Sequence, residues 1–191
     1  MARRSSRYLC VIVGVVLVAG CSGVQEGAKA FVFGIPDHPP RIGGEPPKQP
    51  FLVLSKGKVR RYRWDAILYR HWNVACLETW ISTEGLSSCG NPEPLLVNSN
   101  STGSGSKEGT AIGIVGVPPI ARVRLFLRGR HPLWVVLEEL GRRGAKRTHL
   151  HRGLRAAALS VGGSFCLVRF QGFDREGARR YTSDVHPCSE Q

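Results

Sequence analysis

The chain has 191 residues, 27 Lys plus Arg against 14 Asp plus Glu, a formal net charge of +13 and a hydrophobic fraction of 42%. With 4 Trp, 7 Phe and 4 Tyr it carries enough apolar side chain to offset the entropy of ordering, which excludes wholesale disorder, and its length allows one domain or two small ones. A single Met beside 23 Gly and abundant Arg points to a biased genome, so the basic balance alone does not argue for nucleic acid.

The N-terminus, MARRSSRYLCVIVGVVLVAGC, places Arg3, Arg4 and Arg7 before an apolar run over residues 9–19. A run of that length is too short for a hydrocarbon core of about 30 Å and predicts the h-region of an export signal. Its end, Val18-Ala19-Gly20-Cys21, resembles the lipobox of bacterial lipoproteins. That resemblance implies cleavage before Cys21, a diacylglyceryl group on its thiol, and a chain anchored at the outer face of the bacterial cytoplasmic membrane or cell surface. The alternative is an ordinary secretory signal in which Cys21 is incidental. Removal of residues 1–20 takes three arginines and no acids, leaving 24 Lys and Arg against 14 Asp and Glu, or +10.

Residues 21–50 hold Pro36, Pro39, Pro40, Pro46, Pro47 and Pro50, half of the 12 prolines. Proline fixes φ and removes a donor, so this stretch is expected to be an extended tether, with residues 36–50 spanning roughly 45 Å at ~3.1 Å per residue. Ala30-Phe31-Val32-Phe33 interrupts it as a segment able to dock on the domain.

A single domain is expected over residues 51–191. Apolar runs bounded by turn signals recur at 51–54, 62–69, 74–81, 110–117, 121–127, 133–140, 155–161 and 165–171. Such spacing predicts an all-β, immunoglobulin-like antiparallel β-sandwich. Gly162-Gly163 predicts a tight hairpin between two of these runs. Asp174-Arg175-Glu176-Gly177, with Asp first and Gly last, predicts a second turn leading to a strand near 179–184. Residues 98–109, NSNSTGSGSKEG, read as a flexible loop. Residues 141–154 are a short helix or a basic loop. The order of these features also loosely resembles extracytoplasmic β-domains of actinobacterial surface proteins, domains of unknown function, and that resemblance implies the fold alone.

Of six cysteines, Cys10 leaves with the signal and Cys21 is the lipidation residue. Cys76, Cys89, Cys166 and Cys188 remain, and an even number in an exported chain predicts disulfides. Three pairings exist. Cys76 with Cys89 and Cys166 with Cys188 is favoured, because each pair flanks a local return of the chain. No two of the four lie two to four residues apart, which argues against a zinc site.

The mature charge is concentrated. Residues 121–155 hold ten basic and two acidic residues, and residues 56–70 hold six and one. With period two, Val123, Leu125 and Leu127 face a core while Arg122, Arg124, Arg128 and Arg130 stand on the other face around Phe126. Guanidinium groups fork onto phosphate and carboxylate, so the expected partner, besides the membrane reached through the lipid anchor, is an anionic wall polymer, an anionic lipid or an acidic protein, and not nucleic acid. The bland reading of the same face is solvated charge that protects a strand edge. His149-Leu150-His151 offers two imidazoles, but Lys146, Arg147 and Arg152 surround them, so no metal is expected and no cofactor either. Glu138-Glu139 point to opposite sides of a strand and make a poor acid/base pair. Trp64, Trp72, Trp80 and Trp134 read as core rather than as a sugar-stacking surface.

The function expected is that of a surface-anchored, non-catalytic interaction or envelope-support module. The competing classes are an extracytoplasmic sensor or regulatory subunit and a cell-wall hydrolase whose catalytic residues come together only in the fold.

Overall fold

The computed structural model describes residues 24–26, 32–34, 49–102, 108–163 and 165–185. The lipobox and Cys21 lie outside the described residues, as does Cys188.

The chain is all-β, an antiparallel sandwich with one short helix. Its strands are β1 (Val24–Glu26), β2 (Val32–Gly34), β3 (Phe51–Val59), β4 (Tyr62–His71), β5 (Val74–Ile81), β6 (Glu84–Gly90), β7 (Leu95–Thr102), β8 (Gly109–Gly116), β9 (Arg122–Leu127), β10 (Leu133–Val136), β11 (Glu138–Glu139), β12 (Arg155–Gly162), β13 (Leu167–Phe173) and β14 (Arg179–Asp184). Helix α1 spans Arg142–Thr148.

The strands form three sheets, ordered β2-β3-β4-β5-β6, β11-β12-β8-β7 and β1-β10-β9-β13-β14. The second lies between the other two. Ala111 and Val115 of β8 and Ala156 and Ala158 of β12 pack on Leu54, Trp64, Leu68 and Leu77 of the first sheet. The alternate residues Ile112, Ile114, Ala157, Leu159 and Val161 pack on Val123, Leu125, Val135 and Phe170 of the third. Every position of β8, GTAIGIVG, is accordingly buried. Period-two side-chain alternation serves two cores in this strand instead of one core and solvent. Small residues let the outer sheets approach: a Cβ on Gly113 would lie 2.8 Å from Leu77 Cδ1.

Strands β3 to β6 of the first sheet form a meander of two-residue turns. Arg60, Trp72 and Ser82 each open one of these turns with φ near 55° (55°, 54° and 57°), a left-handed conformation that costs a residue with a Cβ about 1–2 kcal/mol. No Asn-Gly or Gly-Gly announces them. Within this sheet Cys76 lies directly opposite Cys89 and is bonded to it, a constraint that on the loop-entropy account contributes about 3 kcal/mol. Cys166 is also disulfide-bonded.

Several expectations are corrected. Gly162-Gly163 does not close a hairpin, because β12 pairs with β8 and β11 whereas β13 pairs with β9 and β14. Gly163 does take a positive φ, 109°, but there its N–H donates to Glu108 O and its carbonyl accepts from Thr110 Oγ1. The chain is thereby led from one layer to the next. Residues 98–102 belong to β7 rather than to a loop. Their polarity hid the strand, since Asn98 Nδ2 donates to Leu77 O and Leu86 O at 2.9 and 2.8 Å, and Asn100 Nδ2 to Thr79 O and Glu84 O at 3.3 and 2.9 Å. Both amides thus join β7 to the first sheet. In the stretch read as tether, β1 pairs in parallel with β10, and β2 adds to the edge of β3.

Candidate functional site

The alternation in Arg122-Val123-Arg124-Leu125-Phe126-Leu127 builds the site. Val123, Leu125 and Leu127 are buried, and Arg122, Arg124 and Phe126 occupy the outer face half-buried. The registers place Val136 and Phe173 on either side of Arg122, and Trp134 and Gln171 on either side of Arg124. The Arg124 guanidinium lies 5.0 Å from the Phe126 ring centre and 5.5 Å from that of Trp134. Trp134 in turn leans on Phe173, ring centres 4.8 Å apart. Cation–π contact of this kind holds the guanidinium without consuming its N–H donors.

Arg128 and Arg130 are not on that face. The strand ends at Leu127, because Gly129 with φ 73° turns the chain and Arg130 N–H closes onto Leu127 O. Both arginines are exposed in the turn, with the Arg130 guanidinium 5.1 Å from the centre of the Phe165 ring. The four arginines therefore divide into a strand pair and a turn pair. None of them is ion-paired to a carboxylate among the described residues.

Two cavities flank the strand pair. One, of about 360 Å³, is lined by Arg124, His131, Pro132 and Trp134. The other, of about 390 Å³, is walled by Val136 and Leu137 and brings Arg122 together with Arg155, Arg175 and Glu139. Arg122 Nη2 donates to Arg175 O at 3.2 Å, and Arg155 Nη1 to Ile120 O at 3.0 Å. These backbone anchors fix the arginines while leaving most of their donors unused. Arg155 and Arg175 were missed in the sequence because they lie 33 and 53 residues from Arg122 and meet it only through the sheet topology.

A third cavity, of about 410 Å³, lies at the β4–β5 turn of the first sheet, lined among others by Arg70, Asn73, Asn91, Glu93, His149 and His151. Arg70 ties it together, donating to Trp72 O (2.8 Å), Asn73 Oδ1 (3.0 Å) and His149 O (3.1 Å). His149 is the left-handed cap of α1, so the two imidazoles are loop residues and not neighbours on a strand. Among the described residues no group of three or more His, Cys, Asp and Glu is placed to hold a metal ion. The tryptophans divide: Trp64 is core and Trp72, expected there too, is 83% exposed at the hairpin tip.

Compared with known proteins, the chain matches no family model, no curated protein and no solved structure. Among the described residues no helix is long and apolar enough to cross a membrane.

Proposed function

We propose that this chain is a surface-anchored bacterial lipoprotein whose β-sandwich is a non-catalytic module that holds an anionic partner on the outer face of β10, β9 and β13. One observation carries the binding reading. Arg124 is half-buried beside two aromatic rings, and among the described residues its solvent-excluded Nε has no hydrogen-bond partner and its charge no carboxylate partner. Partial burial of an uncompensated guanidinium lowers stability. Its geometry is instead suited to binding: the rings restrict the rotamer in advance, so less entropy is lost when an anion docks.

Anchoring rests on the lipobox at Val18-Ala19-Gly20-Cys21. Among anionic partners, a wall polymer suits an extended face with two cavities in line better than a single small anion does. The test is retention of the lipidated protein on anionic wall polymer. Replacement of Arg122 and Arg124 together by Gln abolishes salt-sensitive retention, and unchanged retention refutes the binding face. The anchor fails independently if a Cys21→Ala protein stays lipid-labelled and membrane-bound.

A further inference from the structure

We propose that the cavity between β9, β12 and the β13–β14 turn is a phosphate site, whose ligand is a phosphate ester carrying a neighbouring hydroxyl. This deepens the anion-binding reading by naming the anion. Three arginines from three separate segments, Arg122, Arg155 and Arg175, line one cavity of about 390 Å³. None of the three is ion-paired to a carboxylate among the described residues, and two are already held by backbone carbonyls, Arg175 O for Arg122 and Ile120 O for Arg155.

Donor count chooses the ligand. A carboxylate presents two oxygens in a plane and is satisfied by one bidentate fork. A phosphate presents oxygens around a tetrahedron and a charge of about −1.5 to −2 when it is a monoester, so it can take forks arriving from several directions. Val136 and Leu137 form an apolar wall, which strengthens each charge interaction by limiting water on one side. Among the described residues, Glu139 is the only acid lining the cavity. Acting solely as an acceptor, it repels a bare anion but accepts a hydroxyl of the alcohol that the phosphate esterifies. The cavity therefore discriminates a polyol or sugar phosphate from inorganic phosphate. Arg124 stands two residues along β9, roughly 7 Å away at ~3.4 Å per residue, beside the second cavity, where the next anionic group of a polymer is received.

The full-length protein is titrated calorimetrically at fixed ionic strength with glycerol phosphate, inorganic phosphate and acetate. Glycerol phosphate binds most tightly and acetate not measurably. Arg155→Gln and Arg175→Gln each weaken glycerol phosphate about tenfold, while Lys58→Gln, on the distant β3–β4 hairpin, changes nothing. Glu139→Gln narrows the preference for glycerol phosphate over inorganic phosphate. Equal binding of acetate and phosphate overturns the proposal, and so does phosphate affinity indifferent to Arg175→Gln in a protein that unfolds at the wild-type denaturant concentration. If that indifference coexists with loss of polymer retention in the Arg122/Arg124 variants, the cavity is refuted and the wider face stands. If glycerol phosphate binds as stated but no polymer is retained, the face is refuted and the cavity stands.

Discussion

Asp174 Oδ2 accepts from Arg180 Nε at 2.7 Å while its Oδ1 accepts the Ala178 N–H at 2.8 Å. The pair closes the turn over residues 174–177, which Gly177 N–H to Asp174 O completes, and so fixes Arg175 at the mouth of the three-arginine cavity. Burial of the Asp174 carboxyl works toward its neutral form, but the donors from Arg180, Ala178 and Gly177 outweigh it and hold the group below its ordinary value of 3.8. An acid whose folded value is depressed contributes stability that is full above its unfolded value and lost as pH falls through the folded one. Wild type and Asp174→Asn should therefore differ in denaturation midpoint by a constant amount from pH 5 to 8, at about one to four pH units above the unfolded carboxyl value. The gap should close below about pH 4. A gap that does not narrow as pH falls below the unfolded carboxyl value would contradict this assignment.

Asn98 is buried, and besides its two carbonyl acceptors it takes the Thr79 hydroxyl at 3.3 Å. Asn98→Ala removes a three-way joint between the central sheet and the first sheet. An expected loss of about 2–3 kcal/mol follows, read from urea unfolding. Asn98→Asp should cost more, since it sets a carboxylate against two carbonyl oxygens.

Gly113 tests the three-layer packing. Its missing side chain is what Leu77 Cδ1, Cγ and Cδ2 occupy, at 2.8, 3.1 and 3.2 Å from an added Cβ. Gly113→Ala should destabilise by roughly 1–3 kcal/mol through overpacking. Combined with Leu77→Ala, it should destabilise by less than the two single losses added, a coupling that a double-mutant cycle measures.

The division between what was legible and what was not follows from where each signal lies. β5 was readable to the residue, and so were the alternation from Arg122 to Leu127 and the Asp174-to-Gly177 turn, because alternation and turn chemistry are local. The three layers were not, because β8 and β12 bury both faces, mostly Gly and Ala toward one core and larger apolar residues toward the other, so no polar alternation marks them. The meander turns were opaque since Arg60, Trp72 and Ser82 take a conformation that sequence rules reserve for Gly and Asn. β7 was hidden because Asn98 and Asn100 satisfy a buried position by hydrogen bonds rather than by apolar area. At the site, Arg122 and Arg124 were visible as a patterned pair. Arg128 and Arg130 were misplaced by continuing the period past Gly129, and Arg155 and Arg175 required the register.

Arg70 is expected to hold the cleft end of the molecule. Arg70→Ala frees the β4–β5 turn from the cap of α1, so amide exchange at residues 146–151 and 72–74 should accelerate by an order of magnitude or more for a loss above about 1.4 kcal/mol. Exchange in β8 should be unchanged. Uniform acceleration across the chain would instead mean that Arg70 acts on global stability.

The central claim, that the β9 face binds an anionic polymer through a preorganised arginine pair, is tested most directly by the affinity of wild type and of Arg122→Gln/Arg124→Gln for phosphate-bearing wall polymer at low and at high salt. Wild-type affinity should fall steeply as salt rises, since exposed charge interactions are screened beyond about 10 Å at 0.1 M. The double variant should unfold at the same denaturant concentration as wild type or above it, yet bind weakly with little salt dependence. Equal affinity and equal salt dependence for the two proteins would contradict the account.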